Sequence, residues 1–248
     1  LPKSIQMRNG FYVMSDGNQD LVRRVSVAAA LRGAEIRVGE RVTRVGEDGV
    51  VETTKGSYAF DHVLVATTPS AASTMVASLD KARLPKMVSV IKYFFKLKKP
   101  YYKEDGYSPF MWVDHPWFQF VLPTYADEEH AMPPERRAIR GIRVYSCGRR
   151  ARALSAMLLK LGSSSKVAEA LIGALIQTRP SFQDALVYER YKDWDDDASQ
   201  GGWPYQGPQW FGETLRGSSS RVSFCGDHAE SSKSGINAAV DTALDFVR

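Results

Sequence analysis

The chain closes on a strand, a glycine turn and a helix, and this succession narrows the fold more than any other stretch. Val222-Ser223-Phe224-Cys225 is short and apolar and runs into Gly226-Asp227. After a loop, Ser234-Gly235 opens a segment in which Ile236, Ala239, Val240, Ala243, Leu244 and Val247 recur at helical spacing. Ser234 is the expected N-cap. The first amides of such a helix have no internal partner, so the turn and the helix end form a site for an anion or a ring oxygen. The same pattern also closes ordinary α/β domains, and these residues alone leave both readings open.

The preceding chain divides into two kinds of pattern. Residues 10–14 read as a strand, and Asn18 as the cap of a helix with Leu21, Val22, Val25 and Ala28 or Ala29 on one face, ended by Gly33. Strands are expected at 34–38, 40–45 and 50–54, with turns at Glu47-Asp48-Gly49 and Lys55-Gly56. The continuous apolar run at 61–66 is that of a buried parallel strand, stopped by Pro69, with a short helix over 70–79. Beyond Leu84 the segments 87–97, 109–122 and 138–147 are rich in aromatic and β-branched residues, which suggests an antiparallel sheet. Helices are expected at 151–161 and 167–177, a strand at 186–191, and a Gly, Trp and Pro-rich loop at 193–211. The fold class is therefore α/β, joined to an α+β part with a mixed or antiparallel sheet.

Several function classes receive no support. With 44% hydrophobic and 25% charged residues the composition is that of a soluble globular protein, and no long apolar span or signal peptide is read. A soluble, intracellular protein without a transmembrane segment is expected. The chain opens on Leu1 and not Met, as expected of a processed chain or a piece of a longer one. The net charge of +5 is mild, and its basic clusters lack a nucleic-acid motif, so no nucleic-acid partner is expected. Cys147 and Cys225 lie in apolar strands and read as buried thiols. His62, His115, His130 and His228 lack zinc spacing, and Asp195, Asp196 and Asp197 read as a solvated loop, so no metal site is expected. Neither a Walker loop nor a G-x-S-x-G elbow occurs.

Three features remain. Asp227, beside the helix opening at Gly235, can accept from ligand hydroxyls. Lys92 lies among apolar neighbours on a β segment, where a lone lysine is normally a surface residue whose stem snorkels. Gly201-Gly202-Trp203 and Gly207 to Trp210 join glycines to aromatic rings, either as a wall for a flat ligand or as a packed loop.

In this order and spacing the features resemble the flavin-containing amine oxidases, the family of monoamine, polyamine and L-amino acid oxidases. Val42-Thr-Arg-Val45 followed by the run from Asp61 to Pro69 resembles the family's V-x-x-I and A-D-x-V-I-V-A-x-P. Ser89-Val-Ile-Lys92 looks like the S-V-I-K of monoamine oxidases, Trp194 with Gly201-Gly-Trp203 like W-x-x-D-P and G-G-[WY], and Phe224-Cys-Gly-Asp227 like F-A-G-[DE]. The segment from Gly235 to Ala243 is similar to the family's closing helix.

The resemblance implies a partial FAD-binding Rossmann-like domain, formed by residues 1–80 and 193–248, around an α+β substrate domain at 81–192. It implies non-covalent FAD, with Val42 at the adenine, Gly226 and Asp227 at the ribityl chain, and the amides around Gly235, Ile236 and Asn237 at the flavin carbonyls. Lys92 would hold the water beside flavin N5, and Trp203 would wall the cavity for a small amine or amino-acid substrate. Three departures stand out: no G-x-G-x-x-G unit occurs, Ala238 and Ala243 replace helix glycines, and Cys225 replaces an alanine. The missing unit would come from an N-terminal half or a companion chain, without which FAD should bind poorly. The activity implied is amine-to-imine oxidation with O2 reduced to H2O2. A catalytically degenerate subunit with a structural or assembly role, and a desaturase or isomerase of the same fold, are the alternatives.

Overall fold

A computed structural model describes residues 17–79, 84–101, 110–125, 138–195, 201–204, 221–229 and 235–247. The expected strand at 10–14, Ser234, Trp210, Asp196 and Asp197 lie outside the described residues.

The first hairpins follow from local turn chemistry. Strands β1 (Val42–Val45), β2 (Val50–Thr53) and β3 (Ser57–Ala59) form an antiparallel meander. Gly49, at φ +85°, makes the first turn, and the Thr53 amide donates to the Gly56 carbonyl across the second, at 2.8 Å. Strand β4 (Val63–Val65) is the buried run, and it pairs in parallel with the closing strand β12 (Val222–Phe224). Pro69 does more than stop β4. It opens helix α2 (Pro69–Met75), where its missing N–H and fixed φ suit the first turn, while Thr68 caps the Ala71 amide at 3.3 Å. Val45, Val65, Ala72, Val76, Val222 and Phe224 bury together as a small core.

The second part is a five-stranded antiparallel sheet in the order β10-β6-β9-β8-β7, where β6 is Val90–Tyr101, β7 Met111–Trp112, β8 Phe120–Tyr125, β9 Ile139–Cys147 and β10 Leu186–Asp193. Period-two alternation sorts its side chains. Ile91, Tyr93 and Phe95 on β6, with Ile142 and Val144 on β9, bury against helices α3 (Arg149–Leu161) and α4 (Ser164–Thr178). On α4, Val167, Leu171 and Leu175 recur four apart and are fully buried, each stabilising by roughly 1.5–3 kcal/mol. The opposite sheet face, carrying Lys92, Arg143 and Tyr145, has no helix over it among the described residues. Two short strands, β5 (Met87–Val88) and β11 (Trp203–Pro204), pair antiparallel beside it. These elements establish the mixed α/β fold with its antiparallel sheet.

Three local expectations need correction. Residues 34–38 form no strand and join no sheet, with Ile36 at 51% and Val38 at 82% exposure, because no described strand lies alongside to accept their ladder bonds. Helix α1 (Gly17–Ala30) forms and ends at Gly33 (φ +90°), yet Val22 and Val25 on its expected inner face are exposed. Helix α5 (Ile236–Val247) also forms, but Ile236, Val240 and Leu244 point outward, and the small residues Ala238 and Thr242 face the core. Close approach to β12 selects small side chains, so size and not hydrophobicity decided which face turned inward. Among the described residues no helix is long and apolar enough to cross a membrane.

Candidate active site

The β12 turn is held by one threonine. The Cys225 amide donates to Val65 O at 3.1 Å, extending the parallel pairing to the turn. The Gly226 amide donates to Thr242 Oγ1 at 3.0 Å, and that hydroxyl lies 3.1 Å from the Ala238 carbonyl one turn back on α5. Thr242 thus fastens the glycine turn to the helix. Gly226 has φ +138°, and a Cβ there would lie 2.3 Å from the His228 ring, so only glycine fits. Asp227, His228 and Ala229 follow as a single 3-10 turn lying against β11. Burial lowers the His228 pKa, against the opposing effect of Asp227, and the ring fills space under the turn.

Gly235 stands at φ +75° with nothing within 4 Å of where a Cβ would be. The first intrahelical bond of α5 runs from the Ala239 amide to Gly235 O, so the amides of Ile236 and Asn237 have no partner within the helix. The Asn237 side chain lies outside the described residues.

Lys92 and Trp203 meet through a residue that the sequence did not flag. In the β6–β9 register Lys92 lies opposite Tyr145, and its Nζ sits 4.7 Å from the Tyr145 ring centroid. Tyr145 in turn stacks on Trp203, with centroids 5.7 Å apart and planes 18° from parallel. Trp194 lies 5.7 Å from the same ammonium. Burial, and then the Arg143 guanidinium, lower the Lys92 pKa below the ordinary lysine range. The row continues outward through Phe120, edge-on to Tyr145 at 5.6 Å, and Trp112, edge-on to Phe120 at 4.5 Å. Phe118, in the same aromatic segment, points the other way into the core with no exposure. The signal that could have revealed Arg143 and Tyr145 is the alternation Ile142-Arg143-Val144-Tyr145, which puts both on the face away from the apolar core.

Gly201 and Gly202 have a structural use in this arrangement. A Cβ on Gly202 would lie 2.3 Å from Val90 Cγ2, so the glycines let β11 close against β5 and bring Trp203 to Tyr145. Val42 lies elsewhere, in a cleft of about 640 Å³ lined also by Val45, Val63, Ala66, Thr67 and Met75. The structure therefore gathers Lys92 and Trp203 in one place and Gly226, Asp227 and the α5 N-terminus in another, joined by the contact of the 3-10 turn with β11. Val42 belongs to the cleft along β4, the strand that pairs with β12.

A parallel strand pair ending in a glycine turn and a helix N-terminus is the layout of the α/β nucleotide-binding class. The sequence profile described as flavin containing amine oxidoreductase matches residues 3–247, and the chain belongs to that family. Its fold is similar to that of putrescine oxidase bound to putrescine, at 17% identity and a TM-score of 0.67, covering 94% of this chain and 53% of that one. A triple mutant of putrescine oxidase redesigned in cofactor binding gives 17% identity and a TM-score of 0.69 with the same coverage. An oxidoreductase from Methanosarcina mazei gives 14% and 0.62, covering 94% of this chain and 54% of that one. The chain thus spans about half the length of these structures. No curated protein is matched by the sequence.

Proposed function

We propose that this chain forms the substrate-facing part and the C-terminal cofactor-facing part of a FAD-dependent oxidase of amines or L-amino acids. One observation carries the reading: the Lys92 ammonium over Tyr145, itself stacked on Trp203, which joins a desolvated lysine to an aromatic wall. When bound, without a covalent link, FAD would supply a two-electron acceptor for the hydride of the amine-bearing carbon, leaving an imine, with O2 reoxidising it to give H2O2.

The residues present fit the flavin end of that group. The open space over Gly235 leaves room for a ligand, and Asp227 supplies an acceptor for ribityl hydroxyls. The amides of Ile236 and Asn237, without a partner within the helix, suit a ring carbonyl, because a helix N-terminus favours developing negative charge. Lys92 is suited to hold a water and move a proton, since burial favours its neutral form. Trp203 walls the substrate side, and the Val42 cleft has the apolar lining an adenine needs. In this reading residues 1–80 and 193–248 form the nucleotide part and 81–192 the substrate part.

The pyrophosphate-gripping glycine turn would come from an N-terminal half or a companion chain. The exposed apolar residues Val22, Val25 and Val38 and, on α5, Val240 and Leu244 support a covering segment of that kind. The test is the native assembly: flavin absorbance should be present, and peroxide should appear with a panel of amines and L-amino acids. An intact assembly without flavin would sink the proposal.

A further inference from the structure

The open face of the five-stranded sheet carries donors without acceptors. Arg143 lies opposite Phe94 on β6 and Leu122 on β8, one alternation along from Tyr145, so it shares a face with Lys92. Its Nε is buried with no hydrogen-bond partner among the described residues, where its Nη2 reaches the Pro123 carbonyl at a long 3.4 Å. The indole N–H of Trp194, beside Lys92, is also buried and unpartnered. Two other cations of this part are matched: Lys96 bridges Glu189 at 3.2 Å, and Arg150 bridges Asp114 at 2.7 Å. Among the described residues neither Lys92 nor Arg143 has a carboxylate within ion-pair distance. Buried donors are normally paired, and a guanidinium offers five of them in a fixed fork. Two adjacent cations without an anion disfavour each other. A ligand that supplies a carboxylate satisfies both, and the Arg fork matches that group in shape.

We infer that Arg143 is a specificity-determining residue that reads a carboxylate on the substrate, so the site takes amino-acid-like substrates in preference to simple amines or diamines. The inference rests on the oxidase reading above for its reaction, but the binding site does not. Arg143 supplies the fork, Lys92 the second positive charge and the Trp194 indole a further N–H. A substrate with a second ammonium in place of the carboxylate would face these cations unfavourably.

The experiment uses the native, flavin-loaded protein and two matched pairs of probes. Benzoate and benzamide, similar in shape, are titrated calorimetrically. Benzoate is expected to bind about tenfold or more tightly than benzamide, a preference abolished in Arg143→Gln and partly kept in Arg143→Lys. L-Ornithine and putrescine, which differ by one carboxylate, are compared as substrates, and kcat/KM is expected to favour L-ornithine by about tenfold or more. Equal binding of benzoate and benzamide to the unmodified protein overturns the inference even if the variants fail to fold. So does an Arg143→Gln protein with unchanged melting and an unchanged benzoate preference, including one in which only the flavin potential has moved. Peroxide release with putrescine equal to that with L-ornithine overturns the inference and leaves the oxidase reading intact. Release with no amine or amino acid tested sinks the oxidase reading, while the benzoate comparison still decides the anion site.

Discussion

The ring of Tyr145 stacks on the indole of Trp203, 18° from parallel with centroids 5.7 Å apart, and so ties the five-stranded sheet to the separate β5–β11 pair. Tyr145 is 9% exposed and also meets Phe120 edge-on. Tyr145→Ala is expected to destabilise the protein by about 3 kcal/mol through lost burial and stacking. Tyr145→Phe keeps the ring and should change stability by less than about 1 kcal/mol. Urea denaturation of the two variants checks this.

Lys92→Met should separate the two halves of catalysis. Reduction of the flavin by substrate without oxygen should change less than about twofold, while reoxidation by O2 should slow about a hundredfold, the scale of a lost proton relay. Stopped-flow absorbance resolves the two phases.

The pH dependence has a definite sign. Burial and the neighbouring Arg143 both lower the Lys92 pKa, so the pH limb of reoxidation due to Lys92 should fall below the ordinary lysine range. Removing the like charge with Arg143→Gln relieves one of these causes and should move that limb to higher pH, while burial keeps it below a free lysine. For stability, the folded chain holds its Lys92 proton less tightly than the unfolded chain. The contribution of this group therefore rises with pH between the lowered pKa and the ordinary lysine value. A pH–rate profile of both proteins is the measurement.

Thr242 is the tie between turn and helix. Thr242→Val leaves the Gly226 amide without its acceptor, which should cost about 1–3 kcal/mol, whereas Thr242→Ser should retain most of the stability. Chemical denaturation and the flavin content of the native assembly should fall together in the valine variant.

The two site glycines should respond differently to alanine. Gly235→Ala meets open space and bears only the left-handed backbone, about 1–2 kcal/mol. Gly226→Ala meets the same order of backbone strain and also drives a methyl into His228, so it should be the more damaging of the two. Thermal melting of the pair checks the order.

The sequence made legible whatever is fixed by near neighbours. The Gly49 turn, the apolar run of β4 and the α4 repeat of Val167, Leu171 and Leu175 are written in short stretches, and each formed as expected. The outward turn of Val240 and Leu244 was not legible, because helical periodicity does not say which face meets β12. The absence of a strand at residues 34–38 was hidden for a similar reason, since a ladder depends on another strand. Lys92, Trp203 and Asp227 were named as candidates from the resemblance. Arg143 and Tyr145 were not, because only the register of β6 against β9 brings them to Lys92.

The parallel pairing of β12 with β4 has a consequence for how the molecule assembles. His62 and Ser223, at the edge of that pair, lie 3.4 Å apart across 161 positions of chain. Hairpins such as β1–β2 can close as soon as they leave the ribosome, and the large antiparallel sheet is complete once β10 has emerged. The glycine turn cannot take shape until β12 has been made, and β12 follows every strand of that sheet in the chain. Contacts so distant in sequence form slowly. During synthesis, then, the sheet bearing Lys92 exists before the turn bearing Asp227, and any ligand that needs both must wait for β12.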